Sequence, residues 1–215
     1  MDEPAFGIDT RRIEALGDGV FAIAMTLLIL EIRVPVVHGD AAGGELFRAI
    51  AGLWPKFMCY FISFATLGVY WVAHHLHFAT IKRADRVLMW INILFLLVVC
   101  LVPFSTALIG EYVRQPLPTI LYGLNMIAAS LVLQLHWSYA TRGNRLVNPD
   151  TDPRLVRAVT HVILMGPVVY LVAIGLAFIH TGLSIALYML VNLLYILPGS
   201  VHLHLRAPAR SGNKA

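Results

Sequence analysis

Six apolar stretches, each about as long as a bilayer is thick, dominate this sequence. They run roughly Asp18–Val36, Leu53–Phe78, Val87–Ile109, Leu117–Tyr139, Leu155–Phe178 and Leu183–Leu205. A helix needs about 20 mostly apolar residues to cross the hydrocarbon core, and an isolated segment in lipid must satisfy its own backbone hydrogen bonds. The sequence therefore predicts an all-α integral membrane protein with six transmembrane helices. The connections between them are short. The longest holds Thr141-Arg142-Gly143-Asn144-Arg145 and two prolines, which is loop chemistry. No stretch remains for a separate soluble unit, so residues 1–215 read as one membrane domain. The start of the chain carries both acids and bases, and no small-residue cleavage site follows its first apolar run, so no cleavable leader is expected.

Composition narrows the function classes. Charged residues make up 13% and apolar residues 59%, against about a quarter charged in soluble domains. A soluble enzyme, a disordered chain and a nucleic-acid binder are all excluded. The net charge of +4 is then a topology signal. Twelve of the sixteen Lys and Arg fall on one side of the six-span plan: Arg11 and Arg12, Lys82, Arg83 and Arg86, Arg142, Arg145, Arg154 and Arg157, and Arg206, Arg210 and Lys214. Arg33, Arg48, Lys56 and Arg114 fall on the other. The excess marks the cytoplasmic side, so both termini are expected inside.

The first span has the most organised pattern. At about 100° per residue, with Ile23 as origin, Leu27 lies near 40°, Leu30 near −20°, Leu16 and Val34 near 20° and Thr26 near −60°. This is one narrow aliphatic seam. Asp18 lies at about −140°, nearly opposite, between Gly17 and Gly19. The seam suits plain helix packing, and it also suits a row of hydrophobic rings around a pore. Periodicity alone does not choose. Thr26 is placed to bond back to the Ala22 carbonyl. Asp18 reads either as a cap at the helix start or as part of a polar network, with Arg12 nearby and His74, His75 and Asn92 on the next two spans.

Other constellations carry less. His74 and His77 share a helix face, and His202 and His204 are two apart; both pairs sit near span ends, and no metal site is expected from them. Cys59 and Cys100 read as two buried thiols. Trp54, Trp90 and Trp137 suit an interfacial belt, and Trp71 suits helix packing. Nucleophile-elbow and H-E-x-x-H motifs are absent, so no enzyme activity and no cofactor is expected. No TVGYG-like filter occurs either, which removes selectivity by stacked carbonyls.

The run R-I-E-A-L-G-D-G-V-F-A-I-A-M-T-L-L-I-L-E-I from Arg12 to Ile32 resembles the first helix of the transmembrane-protein-175 family, lysosomal potassium channels and their bacterial homologues. The family's Phe-Ser-Asp stands here as Leu16-Gly17-Asp18. Y-F-I-S-F-A-T-L-G-V-Y-W-V-A-H-H-L-H-F from Tyr60 and N-I-L-F-L-L-V-V-C-L-V-P-F-S-T from Asn92 are similar to it as well. The resemblance implies a homotetramer of six-span subunits whose first helices line a central pore. It implies Ile23 as the narrowest ring, Leu27 and Leu30 as further layers, and Thr26 as a hydroxyl ring. It further implies a polar network of Arg12, Asp18, Trp71, His74 or His75, and Asn92. The expected function is a weakly selective, leak-type potassium channel. It would pass K+ and other monovalent cations through the plasma membrane of a prokaryote, with itself and the lipid bilayer as partners. The competing expectation is a secondary cation transporter using intramembrane Asp and His. Broken helices at Pro103 or Gly166-Pro167 would favour that reading.

Overall fold

In a computed structural model, residues 10–37 and 43–196 are described, and they are helical almost throughout. The elements are α1 (Thr10–Leu30), α2 (Gly43–Ala51), α3 (Trp54–Thr80), α4 (Arg86–Cys100), α5 (Val102–Glu111), α6 (Pro116–Thr141), α7 (Pro153–Ala177) and α8 (Thr181–Ile196). Five stretches are long and apolar enough to cross a membrane: α1, α3, α4 with α5, α6, and α7. α8 is apolar and has 16 residues. The remainder of the sixth stretch, with His202, His204, Arg206, Arg210 and Lys214, lies outside the described residues.

The helix starts follow local chemistry. Pro55 sits in the first turn of α3, Pro116 and Pro118 in that of α6, and Pro153 in that of α7, where the missing N–H costs nothing. Asp85 caps α4 by accepting from Leu88 N at 2.8 Å, and Asp152 accepts from Arg154 N at 2.7 Å.

Three expectations need correction. The first helix is displaced toward the N-terminus: it begins at Thr10 and ends at Leu30, with residues 33–37 non-helical. Pro35 disfavours helical backbone just before it, and Ile13 and Gly17 are buried, so packing holds the polar first turns in helix. Asp18 is thus two turns inside α1 and caps nothing. The short helix α2 occupies what reads as loop. The third span is divided at Leu101, where Pro103 lacks an N–H to continue the ladder. That division is closed by Leu101 N on Val98 O (3.2 Å) and by the Ser105 and Thr106 hydroxyls on Val102 O (3.0 and 2.7 Å). α7 runs unbroken through Gly166-Pro167.

α1 packs chiefly on α3, α4 and α5, and α6 chiefly on α7, α4 and α5. The main core gathers Phe21, Leu28, Leu67, Phe95, Met126, Leu133, Tyr170 and Tyr188. A second cluster joins Ile13, Phe78, Ile81, Ala84, Leu88, Ala140, Leu146 and Val147 at one end of the bundle. There Ile81 and Val147 form an antiparallel bridge, and Lys82 N donates to Leu146 O at 2.9 Å. The start of α1, the α3–α4 turn and the α6–α7 turn therefore share one face, and that face carries the Arg and Lys of all three. At the other end Lys56 pairs with Glu111 at 2.5 Å.

Lipid tails are as apolar as leucine, so helices in a bilayer are held by close packing and buried hydrogen bonds. One chain of such bonds crosses the main core. The Thr106 and Ser63 hydroxyls lie 2.7 Å apart, Ser63 is 3.3 Å from Tyr122 OH, and Asn192 donates to Thr66 (2.8 Å), Ile62 O (3.2 Å) and Tyr188 O (3.1 Å). It ties α3, α5, α6 and α8 together. Two further readings fail here. Cys59 is buried as expected, but Cys100 is exposed on the outward side of α4. Trp137 is a core residue, not part of a belt: it is buried and donates to Val156 O at 3.3 Å.

Candidate functional site

α1 has two unlike faces. Ile13, Gly17, Phe21, Ala24 and Leu28 recur every three or four residues and are buried against the rest of the subunit. The seam faces away. Ile23 is 60% exposed, Leu27 43% and Leu30 71%, while Phe21 and Leu28, on the buried face, are each 1%. Leu16 and Val34 are exposed too. Within one subunit, then, the aliphatic seam is not the packing face; a different stripe performs that role.

Thr26 stands on the edge of the seam. Its hydroxyl is within bonding distance of Ala22 O (3.0 Å) and Ile23 O (2.9 Å). The hydroxyl hydrogen is thereby committed to the backbone, and the oxygen lone pairs face outward. An acceptor oxygen beside an exposed aliphatic seam is a group a cation can meet.

A third side of α1 carries polar contacts to α3. Trp71 Nε1 donates to Asp18 Oδ1 at 2.8 Å. His75 Nδ1 meets Glu14 Oε1 at 2.9 Å, and its ring stacks on Trp71 with centroids 6.0 Å apart. Glu14 and Asp18 are four residues apart, as are Trp71 and His75, so two matched pairs on antiparallel helices fix their register. His74, one residue along, turns into the core and donates from Nε2 to Asn92 Oδ1 of α4 at 2.8 Å. Its ring rests on α1 at Gly17, where a Cβ would lie 2.7 Å from His74 Cε1.

The anticipated polar residues therefore fall into two connected groups. Asp18, Trp71 and His75 meet on the surface beside α1, and His74 and Asn92 meet behind it. Arg12 is exposed and joins neither group among the described residues. Glu14 was missed, although its spacing from Asp18 matched that of Trp71 and His75. His77 and His136 were also not singled out as a pair. Their buried rings stack at 5.7 Å, and none of their four ring nitrogens has a protein partner. No three His, Cys, Asp or Glu among the described residues are placed to share a metal ion.

Residues 12–103, from the start of α1 to the α4–α5 division, match the family described as Endosomal/lysosomal potassium channel TMEM175. A Streptomyces collinus protein named as a potassium channel is 39% identical over 87% of this chain and 91% of its own length. The crystal structure of a lysosomal potassium-selective channel TMEM175 homolog from Chamaesiphon minutus superposes with a TM-score of 0.77 at 35% identity. That match covers 87% of this chain and 96% of the other. The human protein named endosomal/lysosomal proton channel TMEM175 is 38% identical over 51% of this chain and 23% of its own.

Proposed function

The chain belongs to the TMEM175 family, and on that premise we propose that it forms a potassium-permeable, weakly selective cation channel of four six-span subunits around their first helices. The observation that carries this reading is the exposure of Ile23, Leu27 and Leu30 on a helix whose opposite face is fully packed. Four copies facing one axis would turn that seam into stacked hydrophobic rings, which gate by dewetting. Ile23 forms the narrowest ring, with Leu27 and Leu30 as further layers. Aliphatic rings coordinate nothing; they set a diameter and a dehydration barrier. Potassium loses water more readily than sodium, so it is favoured modestly, and the Thr26 oxygen adds to that preference.

Asp18–Trp71 and His75–Glu14 hold α1 against α3 from the side, and His74–Asn92 supports it from behind. Arg12, exposed and apart from these pairs within the subunit, reaches the neighbouring subunit in this arrangement. The basic face lies in the cytoplasm with both termini, in the plasma membrane of a prokaryote. α7 runs unbroken through Gly166-Pro167, which supports a channel over a transporter built on broken helices.

The test is flux from purified protein in liposomes loaded with potassium and diluted into sodium. Passive, potassium-preferring flux is expected. Ile23→Gly should raise it severalfold, and Thr26→Ala should lower the potassium preference. Flux that appears only with an opposing ion or proton gradient would replace the channel with an exchanger built on Asp18 and the histidines.

A further inference from the structure

α6 leaves the core with a row of outward leucines. Leu117, Leu121, Leu124, Leu131 and Leu135 are all exposed, and their spacing keeps them on one face. α6 packs on α7, α4 and α5, and within the subunit this row is left uncovered. At its end the chain turns sharply through Gly143 (φ 62°) and Asn144 (φ 52°). The turn brings Arg145 back over Tyr139, with its guanidinium carbon 4.7 Å from the ring centre. Between the helix end and the turn lies an open groove. Leu135 forms its apolar end, and Ser138, Tyr139, Arg142, Gly143 and Arg145 line the rest.

The charges in this groove are unbalanced. Neither Arg142 nor Arg145 forms a salt bridge with a carboxylate among the described residues. The acid that Tyr139 reaches is Asp85, whose two oxygens are taken by Tyr139 OH (2.7 Å) and Leu88 N (2.8 Å). Ser138 Oγ accepts from Gln134 Nε2 at 2.8 Å, which leaves its own hydrogen to donate. Two guanidinium groups and a hydroxyl thus surround the polar end of a slot that continues into leucine. Guanidinium pairs with phosphate oxygens, and basic pockets at the cytoplasmic end of membrane helices suit anionic headgroups. From Leu131 to Arg142 the helix rises about 16 Å, close to half the hydrocarbon thickness.

We propose that this groove binds one anionic phospholipid, its phosphate between Arg142 and Arg145 and an acyl chain along Leu135 and Leu131. The proposal needs only that the chain spans a bilayer, and it stands apart from the conduction reading. The experiment is native mass spectrometry of the purified protein titrated with phosphatidylglycerol, phosphatidylcholine and inorganic phosphate in separate arms. Phosphatidylglycerol should bind in preference to phosphatidylcholine. The double variant Arg142→Gln/Arg145→Gln should bind it about 30-fold more weakly, or about fivefold per arginine. Arg154→Gln, on the same face but outside the groove, should bind as the parent does. Leu135→Asn should weaken phosphatidylglycerol, which separates a lipid from a free anion. Undiminished binding by the double variant, or equal binding of phosphatidylcholine, would overturn the site. Displacement of phosphatidylglycerol by inorganic phosphate at equal concentration would make it a free-phosphate site and overturn the lipid. Should the double variant not fold, as judged by its elution profile, the two single variants carry the same test.

Discussion

A methyl group at position 17 has nowhere to go. It would sit 2.7 Å from His74 Cε1 and 3.3 Å from Nδ1, and His74 is held from the far side by Asn92. Gly17→Ala should therefore cost about 1–3 kcal/mol by overpacking, which lowers the melting temperature by about 2–4 °C per kcal/mol. An unchanged melting temperature in detergent would mean that the ring swings aside freely. His77 and His136 lead to the opposite expectation. A buried polar atom without a partner is costly, and replacing both members of a pair with apolar groups of like shape is often neutral or stabilising. His77→Phe with His136→Phe should match or exceed the parent in melting temperature, and a fall would show that the nitrogens are satisfied. At this scale the sequence was half legible. The replacement of Ser by Gly could be seen from the resemblance. Its reason could not, because the group that fills the space is 57 positions away.

Among the elements, α8 joins α3 through a polar contact as well as through packing: Asn192 reaches Thr66 and the Ile62 carbonyl. Hydrogen bonds between membrane helices are worth about 0.6 kcal/mol on average and about 1.7 at most. Asn192→Leu should lose about 1–2 kcal/mol and speed amide exchange in α8 ahead of the other helices. Uniform exchange would show that apolar packing alone seats it. The long apolar elements were readable; the short helix α2 and the element ends were not. Apolar length located the five described stretches long enough to cross a membrane. The start of α1 was hidden because Arg11, Arg12 and Glu14 look like a loop, whereas burial of Ile13 and Gly17 and the Glu14–His75 contact help keep those turns helical. The division at Leu101 had its signal in Pro103, but a proline in an apolar run produces either a kink or a break, and packing of Thr106 on Ser63 goes with the break seen here.

For the whole molecule, the decisive quantity is the number of copies. An aliphatic seam on a lone subunit faces lipid; the same seam in a ring of four faces a pore. Purified protein should therefore have the mass of four subunits, and a stable monomer that still conducts would end the proposal that α1 lines a shared pore. The concentration of basic groups on one face, joined by the Ile81–Val147 bridge, agrees with the charge count made along the chain. What the sequence by itself determined was the one-dimensional part: which stretches are apolar and long enough to cross, which of the described basic loops share a side, and which stripe of α1 is aliphatic. A bilayer makes these local, since every crossing segment must satisfy its own backbone and supply its own apolar length. What only the tertiary structure decided was which stripe of α1 is buried, which polar groups meet, and where the basic groove opens. In a chain apolar on nearly every face, hydrophobicity cannot tell a helix neighbour from a lipid neighbour; shape and hydrogen bonds between residues far apart in the chain make that distinction.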